Sequence, residues 1–354
     1  MVPSISRRHL VQGGCTAALV ALAGCLGGDG DGTDNGSGNG TDNGGGNGTD
    51  NGSGNGTDNG SGNGTDNGGG EAAVRPYPEY VATDDAGEAT AIYADFVAIE
   101  AVSDEFDDLI SDSEDPLLLL PARGTNLLLN SSLSLEGLGL GELLDSGETQ
   151  LQSEVQAVTL ASQAFVAMGS LQTGEIETVL RSAAGQLGSF EQSAERGPYT
   201  FYQPAGDETT TVALSDTDIL VADSAGPVER ATAAATGSRP RAVDAVDEFG
   251  WVLDAVDDPD VAFAGHASPS EDESGNTTGA LSGSSSFIAT HTFDSDRVTA
   301  EIAAVYPSAD ALDGATGSLE ATLGSEANDV SFEFDTDRVS VTGTYQADAE
   351  TDGE

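Results

Sequence analysis

Cys25 is the residue with the most specific chemistry in this 354-residue sequence. It follows Leu22-Ala23-Gly24, and small residues before a cysteine allow a peptidase to reach the bond that precedes it. The thiol left at the new terminus can then carry a lipid. Because the string ends an apolar run over 15–22 and precedes a low-complexity spacer, we predict lipidation at Cys25. The alternative is a leader whose Cys25 is an incidental apolar residue.

An arginine pair, Arg7-Arg8, precedes this apolar run. A charged start followed by a short apolar segment is the arrangement of a secretory signal, and the pair is typical of twin-arginine export. Residues 11–26 number only 16, with two glycines near the start, whereas a membrane helix needs about 20 apolar residues. The sequence therefore predicts a twin-arginine signal peptide with a lipidation motif over 1–25, rather than a retained transmembrane helix.

The two motifs together resemble the N-terminal segments of Tat-exported lipoproteins of halophilic archaea. The resemblance covers about the first 30 residues. It implies a protein held at the outer, extracellular face of the cell membrane by the lipid on Cys25. Since Cys15 would leave with the signal peptide, the mature chain would have no thiol pair for a disulfide.

The composition agrees with a halophilic source. The chain has 61 Asp and Glu residues against 11 basic ones, all of them arginine, and its formal net charge is −50. Such charge destabilises a compact state in dilute buffer, but at 1 M salt the Debye length falls to about 3 Å and the repulsion is screened. We interpret the acidity as adaptation to high salt. No basic patch is available for phosphates, so a nucleic-acid partner is not predicted.

Two histidines, His266 and His291, are the candidates for catalysis or metal binding beyond the signal peptide. Many serines and aspartates could complete a Ser-His-Asp set on paper, so the pattern singles out none of them. A phosphate loop needs a lysine that the chain lacks, and Glu142 occupies the third glycine position of a dinucleotide motif. We therefore predict no catalytic residue, no cofactor and no bound metal, and favour a protein without enzymatic activity, with an exported enzyme as the alternative.

Outside the low-complexity spacer, the strongest internal repeat is an Asp-x-Asp-Arg motif, FDSDRVT at 293–299 and FDTDRVS at 334–340, with a looser copy, LSDTDIL, at 214–220. Paired carboxylates at a hairpin tip could hold a cation. Aspartate, serine and threonine also favour turns, and an arginine beside them can pair locally with the acids. The sequence favours turns; the cation alternative would use Asp294, Asp296, Asp335 and Asp337.

Residues 26–71 form a spacer built on the eight-residue repeat TDNGSGNG. Since nothing in it can bury a core, we predict a disordered stalk that spans roughly 35–40 Å. Residues 31–42 mimic a calcium loop but lack flanking helices and the final glutamate, so calcium is not predicted there. Glycosylation sequons could be occupied or could follow from composition alone; they lie at Asn35, Asn39, Asn47, Asn51, Asn55, Asn59, Asn63, Asn130 and Asn276.

Beyond the stalk, hydrophobic periodicity predicts an α+β body of two domains, 72–270 and 271–354. Single strands are expected over 156–168 and 188–202. The elements over 155–268 then follow the ferredoxin-like order β-α-β-β-α-β, with one extra helix. The second domain is predicted to be a related ββαββ unit.

These features favour a lipid-anchored extracytoplasmic surface protein with a structural, interaction or ligand-binding role. Its partners would be the membrane, through Cys25, and a cell-envelope or surface-layer protein. The alternatives are an exported hydrolase or metal-dependent enzyme, and a solute-binding lipoprotein of a transporter. Against the last, the sequence shows no sign of two large βαβ lobes.

Overall fold

The computed structural model describes residues 77–99, 109–111, 113–144, 150–182, 185–206, 209–267, 279–294 and 297–346. Twelve strands lie in these ranges, and each of them pairs with its neighbours in an antiparallel manner. In chain order they are Ala89–Asp95 (β1), Glu154–Ala161 (β2), Ala164–Ser170 (β3), Phe190–Arg196 (β4), Tyr199–Pro204 (β5), Thr211–Leu214 (β6), Asp218–Ala222 (β7), Val261–His266 (β8), Ser286–Asp294 (β9), Arg297–Val305 (β10), Asp329–Asp335 (β11) and Arg338–Gln346 (β12).

Helices cover both faces of this sheet. They are Pro116–Gly137 (α1), Thr173–Arg181 (α2), Ala225–Ala235 (α3), Ala242–Ala245 (α4), Asp247–Asp254 (α5) and Ala309–Thr322 (α6), with short 3-10 turns at Tyr77–Tyr80, Gly141–Leu144 and Gly279–Leu281. Within the ranges that the structure describes, none of the helices combines the length and the apolar character that a membrane crossing requires.

All twelve strands form one sheet, in the order β11-β12-β10-β9-β8-β1-β2-β3-β7-β6-β5-β4. The predicted ferredoxin-like β-α-β-β-α-β unit followed by a related ββαββ unit is therefore wrong as a fold class. The elements after residue 279 do follow the order ββαββ, but they extend the common sheet through the pairing of β8 with β9. That pairing crosses the predicted domain boundary at 270/271.

Two of the predicted strands are hairpins in the structure, so the sheet has more strands than the hydrophobic pattern predicts. The predicted strand over 156–168 is broken between β2 and β3 at Ser162 and Gln163, whose φ angles are +46° and +75°. This conformation suits a two-residue hairpin turn, for which Asn-Gly is the usual sequence. The Ser-Gln sequence found here does not indicate a turn, so the hydrophobic pattern alone predicts one continuous strand. The predicted strand over 188–202 is likewise broken, at Gly197 with φ +60°, into β4 and β5.

The sheet has a pseudo-twofold arrangement about the antiparallel pair β8–β1. On each side of that pair, the chain forms a hairpin, a helix and a last hairpin whose final strand pairs with the second strand of the first hairpin. On the side of β1, the additional hairpin β4–β5 lies between the helix and the last hairpin and has no counterpart on the other side. The helices in equivalent positions are α2 and α6, and the last hairpins are β6–β7 and β11–β12. Of the Asp-x-Asp motifs, LSDTDIL and FDTDRVS therefore fall on topologically equivalent turns.

Each face of the sheet has its own apolar core. On the first face, α1 crosses the centre of the sheet, and buried leucines and isoleucines of α1, α2 and α6 pack against the strands. On the second face, α3, α5 and the 3-10 turn Tyr77–Tyr80 pack against the opposite side chains of the strands. Helix α1 approaches closely because Gly124 has no Cβ; one built there would lie 2.9 Å from Phe263 Cβ. Both faces of the central strands are thus covered.

Candidate functional site

The predicted export and lipidation residues, Arg7, Arg8 and Cys25, lie outside the described residues, and so does the stalk with its seven sequons. The sequon at Asn276 and the calcium-like segment at 31–42 also lie outside them. Asn130 is described: it lies on α1 and its side chain is exposed, whereas Ser131 and Ser132 of the same sequon are half-buried.

His291 lies on β9 and is 1 % exposed on the first face of the sheet. Burial lowers the pKa of its ring to about 4, and a hydrogen bond from the ring to the backbone of Leu118 opposes that shift only in part. Among the described residues, its Nε2 atom has no hydrogen-bond partner. The ring of Phe293 packs against it at a centroid distance of 5.8 Å. His291 is therefore a neutral core histidine beneath α1.

His266 ends β8 on the second face, and its Nδ1 lies 2.7 Å from Oγ of Ser286 on β9. Next to this contact, Ser285 Oγ donates to Oε2 of Glu248 at 2.6 Å. Burial lowers the pKa of His266, and the charge of Glu248 raises it in part. Ser286 is completely buried. His266 therefore contacts a buried serine beside α5, at the junction of β8 and β9. The two histidines lie on opposite faces of the sheet.

The Asp-x-Asp motifs form hairpin turns, as the sequence favoured. In the β9–β10 turn, Arg297 pairs with Asp294 at 3.3 Å, and in the β11–β12 turn Arg338 lies 3.8 Å from Asp337. Asp296 is outside the described residues. The two turns lie at opposite ends of strand β10, because Arg297 at its start is the backbone partner of Gln346, whereas Val305 at its end is the backbone partner of Arg338. Their carboxylates therefore do not converge on a shared site.

The structure reveals a buried carboxylate that the sequence analysis missed, Asp115. It is the N-cap of α1, where Oδ1 accepts from Leu117 N at 3.0 Å. The same oxygen accepts from Gly324 N, while Oδ2 accepts from Glu326 N and from Tyr345 Oη. One carboxylate thus ties the start of α1 to the α6–β11 connection and to β12. The Asp-Pro pair before a leucine run is a helix-start signal that could have indicated the cap, though not its distant partners.

A second buried carboxylate, Asp218, lies at the start of β7 on the other face. Its Oδ1 accepts from Tyr80 Oη at 2.5 Å and its Oδ2 accepts from Tyr199 Oη at 3.0 Å. Ser215 and Thr217 of the same turn also donate to Oδ2. Burial and the charge of Asp218 raise the pKa of both tyrosines, so both phenols stay protonated as donors. The looser copy of the repeated motif therefore anchors the segment before β1 to the sheet.

Within the described ranges, no group of three or more His, Cys, Asp or Glu side chains is arranged to hold a metal ion. The acceptor atoms of Asp115 and Asp218 are taken up by internal donors. Both clusters hold separate segments of the chain together.

The most distinctive surface feature is the edge strand β11. In the part of the chain that the structure describes, β11 pairs only with β12, and six of its seven residues are exposed. Val330 and Phe334 are 36 % and 39 % exposed, and the rings of Phe332 and Phe334 stack with centroids 6.1 Å apart. A strand with an unpaired outer edge and exposed apolar side chains can pair with a strand of another chain. We regard this β11 edge, residues 329–335, as the candidate interaction site.

No protein-family model matches this chain, and no curated protein matches it. Solved structures of TP0453 in crystal forms I and III each have a TM-score of 0.38, with 11 % and 12 % sequence identity. Each covers 78 % of this chain, and the match spans 95 % and 96 % of the respective TP0453 chains.

Proposed function

We propose that this chain is a lipid-anchored protein displayed at the outer face of the cell membrane, where it acts by binding rather than by turnover. The observation that carries the anchoring is the order of three segments: Arg7-Arg8, then Leu22-Ala23-Gly24-Cys25, then the Gly-rich spacer. The predicted signal, the predicted lipid acceptor and the Gly-rich spacer thus follow one another along the sequence. The stalk would hold the body roughly 35–40 Å from the membrane.

The binding role is supported by the way the described body uses its polar groups. Asp115 and Asp218 are saturated by internal donors, and His266 contacts a fully buried serine. The β11 edge, in contrast, presents backbone and apolar side chains to solvent. Pairing with a strand of another protein chain fits such an edge, since strand addition supplies affinity through main-chain hydrogen bonds.

Replacing Cys25 tests the anchor. In a halophilic archaeal host, Cys25→Ser should move the protein from the membrane fraction to the medium, or leave an unprocessed precursor, because serine cannot form the thioether that holds the lipid. The measurement is fractionation followed by mass spectrometry of the N-terminus. The matched control is Cys15→Ser, which alters a cysteine of the signal peptide and should leave the membrane-bound amount unchanged. Unchanged membrane retention of the Cys25→Ser protein would contradict the anchor.

A further inference from the structure

The two edges of the sheet differ in how well they could accept another strand. Strand β4 carries an irregularity in its pairing with β5 between Gln192 and Ala194, and such bulges protect an edge from further pairing. Strand β11 is regular: every residue from Asp329 to Asp335 has a partner on β12 without a register shift. It contains no proline, and the chain has no lysine to guard the edge. Of the two edges of the sheet in the described residues, the β11 edge is the one suited to strand addition.

The turn geometry shows which backbone groups of β11 point outward. Two residues connect Asp335 to Arg338, and in such a tight hairpin the residues that flank the turn form a hydrogen-bonded pair. Because hydrogen-bonded and non-hydrogen-bonded pairs alternate, Glu333 and Ser331 also direct their amide and carbonyl groups to β12. The amide and carbonyl groups of Val330, Phe332 and Phe334 therefore point away from the sheet. These are the residues with the apolar side chains.

The sequence of β11, Asp-Val-Ser-Phe-Glu-Phe-Asp, is close to a palindrome centred on Phe332. If two copies paired in an antiparallel manner about this residue, Phe332 would face its own copy and Val330 would face Phe334. Apolar side chains would then meet apolar ones along one face of the joined sheet. On the other face Ser331 would lie opposite Glu333, a hydroxyl donor opposite a carboxylate. The strand is thus complementary to itself in one register.

We propose that the partner of the β11 edge is a second copy of this chain, paired through β11 in the register centred on Phe332. The two sheets then form one continuous sheet of 24 strands, since each copy contributes twelve. A second copy is thus the partner in the binding role proposed above. The proposal rests on that function only for the location of the dimer at the membrane surface, because the folded body can pair whether or not it is anchored.

Charge makes the association dependent on salt. In this register Asp329 of each copy lies opposite Asp335 of the other, and two chains of net charge −50 approach each other. At 1 M salt and above, the Debye length of about 3 Å screens both repulsions, whereas at 0.1 M it is about 10 Å. The dimer therefore forms at high salt and dissociates as the salt is lowered.

The register is tested by cysteine cross-linking of the full-length chain with Cys15 and Cys25 replaced by serine. Cysteines from Phe332→Cys lie opposite each other, with Cα atoms about 5.5 Å apart, a separation that a disulfide bridges. Cysteines from Phe334→Cys are offset by four residues, or about 13 Å, and cannot be bridged. At high salt under mild oxidation, we expect Phe332→Cys to run mainly as a dimer in non-reducing gels and Phe334→Cys to remain monomeric.

The mass in solution gives an independent measurement. Light scattering on the serine-substituted chain should show twice the monomer mass at high salt, and Phe334→Pro should return it to the monomer mass because it removes an outward amide donor.

Circular dichroism confirms that each variant is folded, and at lowered salt the mass must fall while the spectrum is retained. A monomer at every salt concentration, or equal cross-linking of the two cysteine variants, would overturn the proposal. Neither result depends on lipidation, so failure here leaves the anchor test untouched.

Discussion

Replacement of Asp115 by alanine is expected to lower the free energy of unfolding by about 3–5 kcal/mol, the usual cost of removing one partner from a buried charged network. The carboxylate is 0 % exposed and accepts four hydrogen bonds of 2.8–3.1 Å. Alanine leaves three backbone amides and one phenol without their acceptor. Two of the amides, those of Gly324 and Glu326, belong to a connection more than 200 residues away along the chain. The effect should therefore spread beyond α1.

Equilibrium denaturation in high salt measures this change, and two variants calibrate it. Tyr345→Phe removes one of the four bonds and should cost about 1 kcal/mol. In the Asp115→Ala background the same substitution should cost much less, because its acceptor is already gone. Asp244→Ala, which breaks an exposed ion pair with Arg241, should leave stability unchanged. If Asp115→Ala were as mild as Asp244→Ala, the proposed tie between α1 and the far end of the chain would be refuted.

The local elements of this fold follow from the sequence better than their assembly does. Ser308 caps α6 by accepting from Ala311 N, as a serine before an apolar stripe indicates. The Asp-x-Asp motifs form turns, as expected from the preference of aspartate, serine and threonine for turns. The sheet order, however, depends on which edges meet, and the pairings β8–β1 and β3–β7 join strands separated by long stretches of chain. Hydrophobic periodicity carries no information about such pairings.

The same distinction applies to the candidate sites. His266 and His291 stand out in the sequence because histidines are rare in this chain. Asp115 and Asp218 do not stand out, because aspartates are abundant and only burial distinguishes these two from the many solvated ones. The β11 edge could have been noticed from its alternation of acidic and apolar residues. That it lies at the end of the sheet became known only from the strand order.

Acidification from about pH 6.5 to about pH 4 is expected to remove about 3 kcal/mol of stability through His291 alone. Burial lowers the pKa of this ring from 6.5 to about 4 in the folded chain, whereas the unfolded chain keeps an ordinary value. Between these two pH values the unfolded state binds a proton that the folded state does not bind. Stability therefore falls as the pH falls through this window, by about 1.4 kcal/mol for each pH unit, and it is unaffected above it.

Other groups respond to the same change of pH, so the effect of His291 must be measured as a difference. Burial raises the pKa of the nearby Asp260, whose amide donates to the His291 carbonyl, and this acid acts in the opposite sense. His291→Asn places an amide donor near the Leu118 carbonyl but does not titrate. The stability of the wild type minus that of His291→Asn, measured by denaturation at constant high salt, should decline from pH 6.5 to pH 4. For His266→Asn the same difference should decline less, because that ring is only half-buried. A flat difference for His291→Asn would show that the buried ring does not stay neutral.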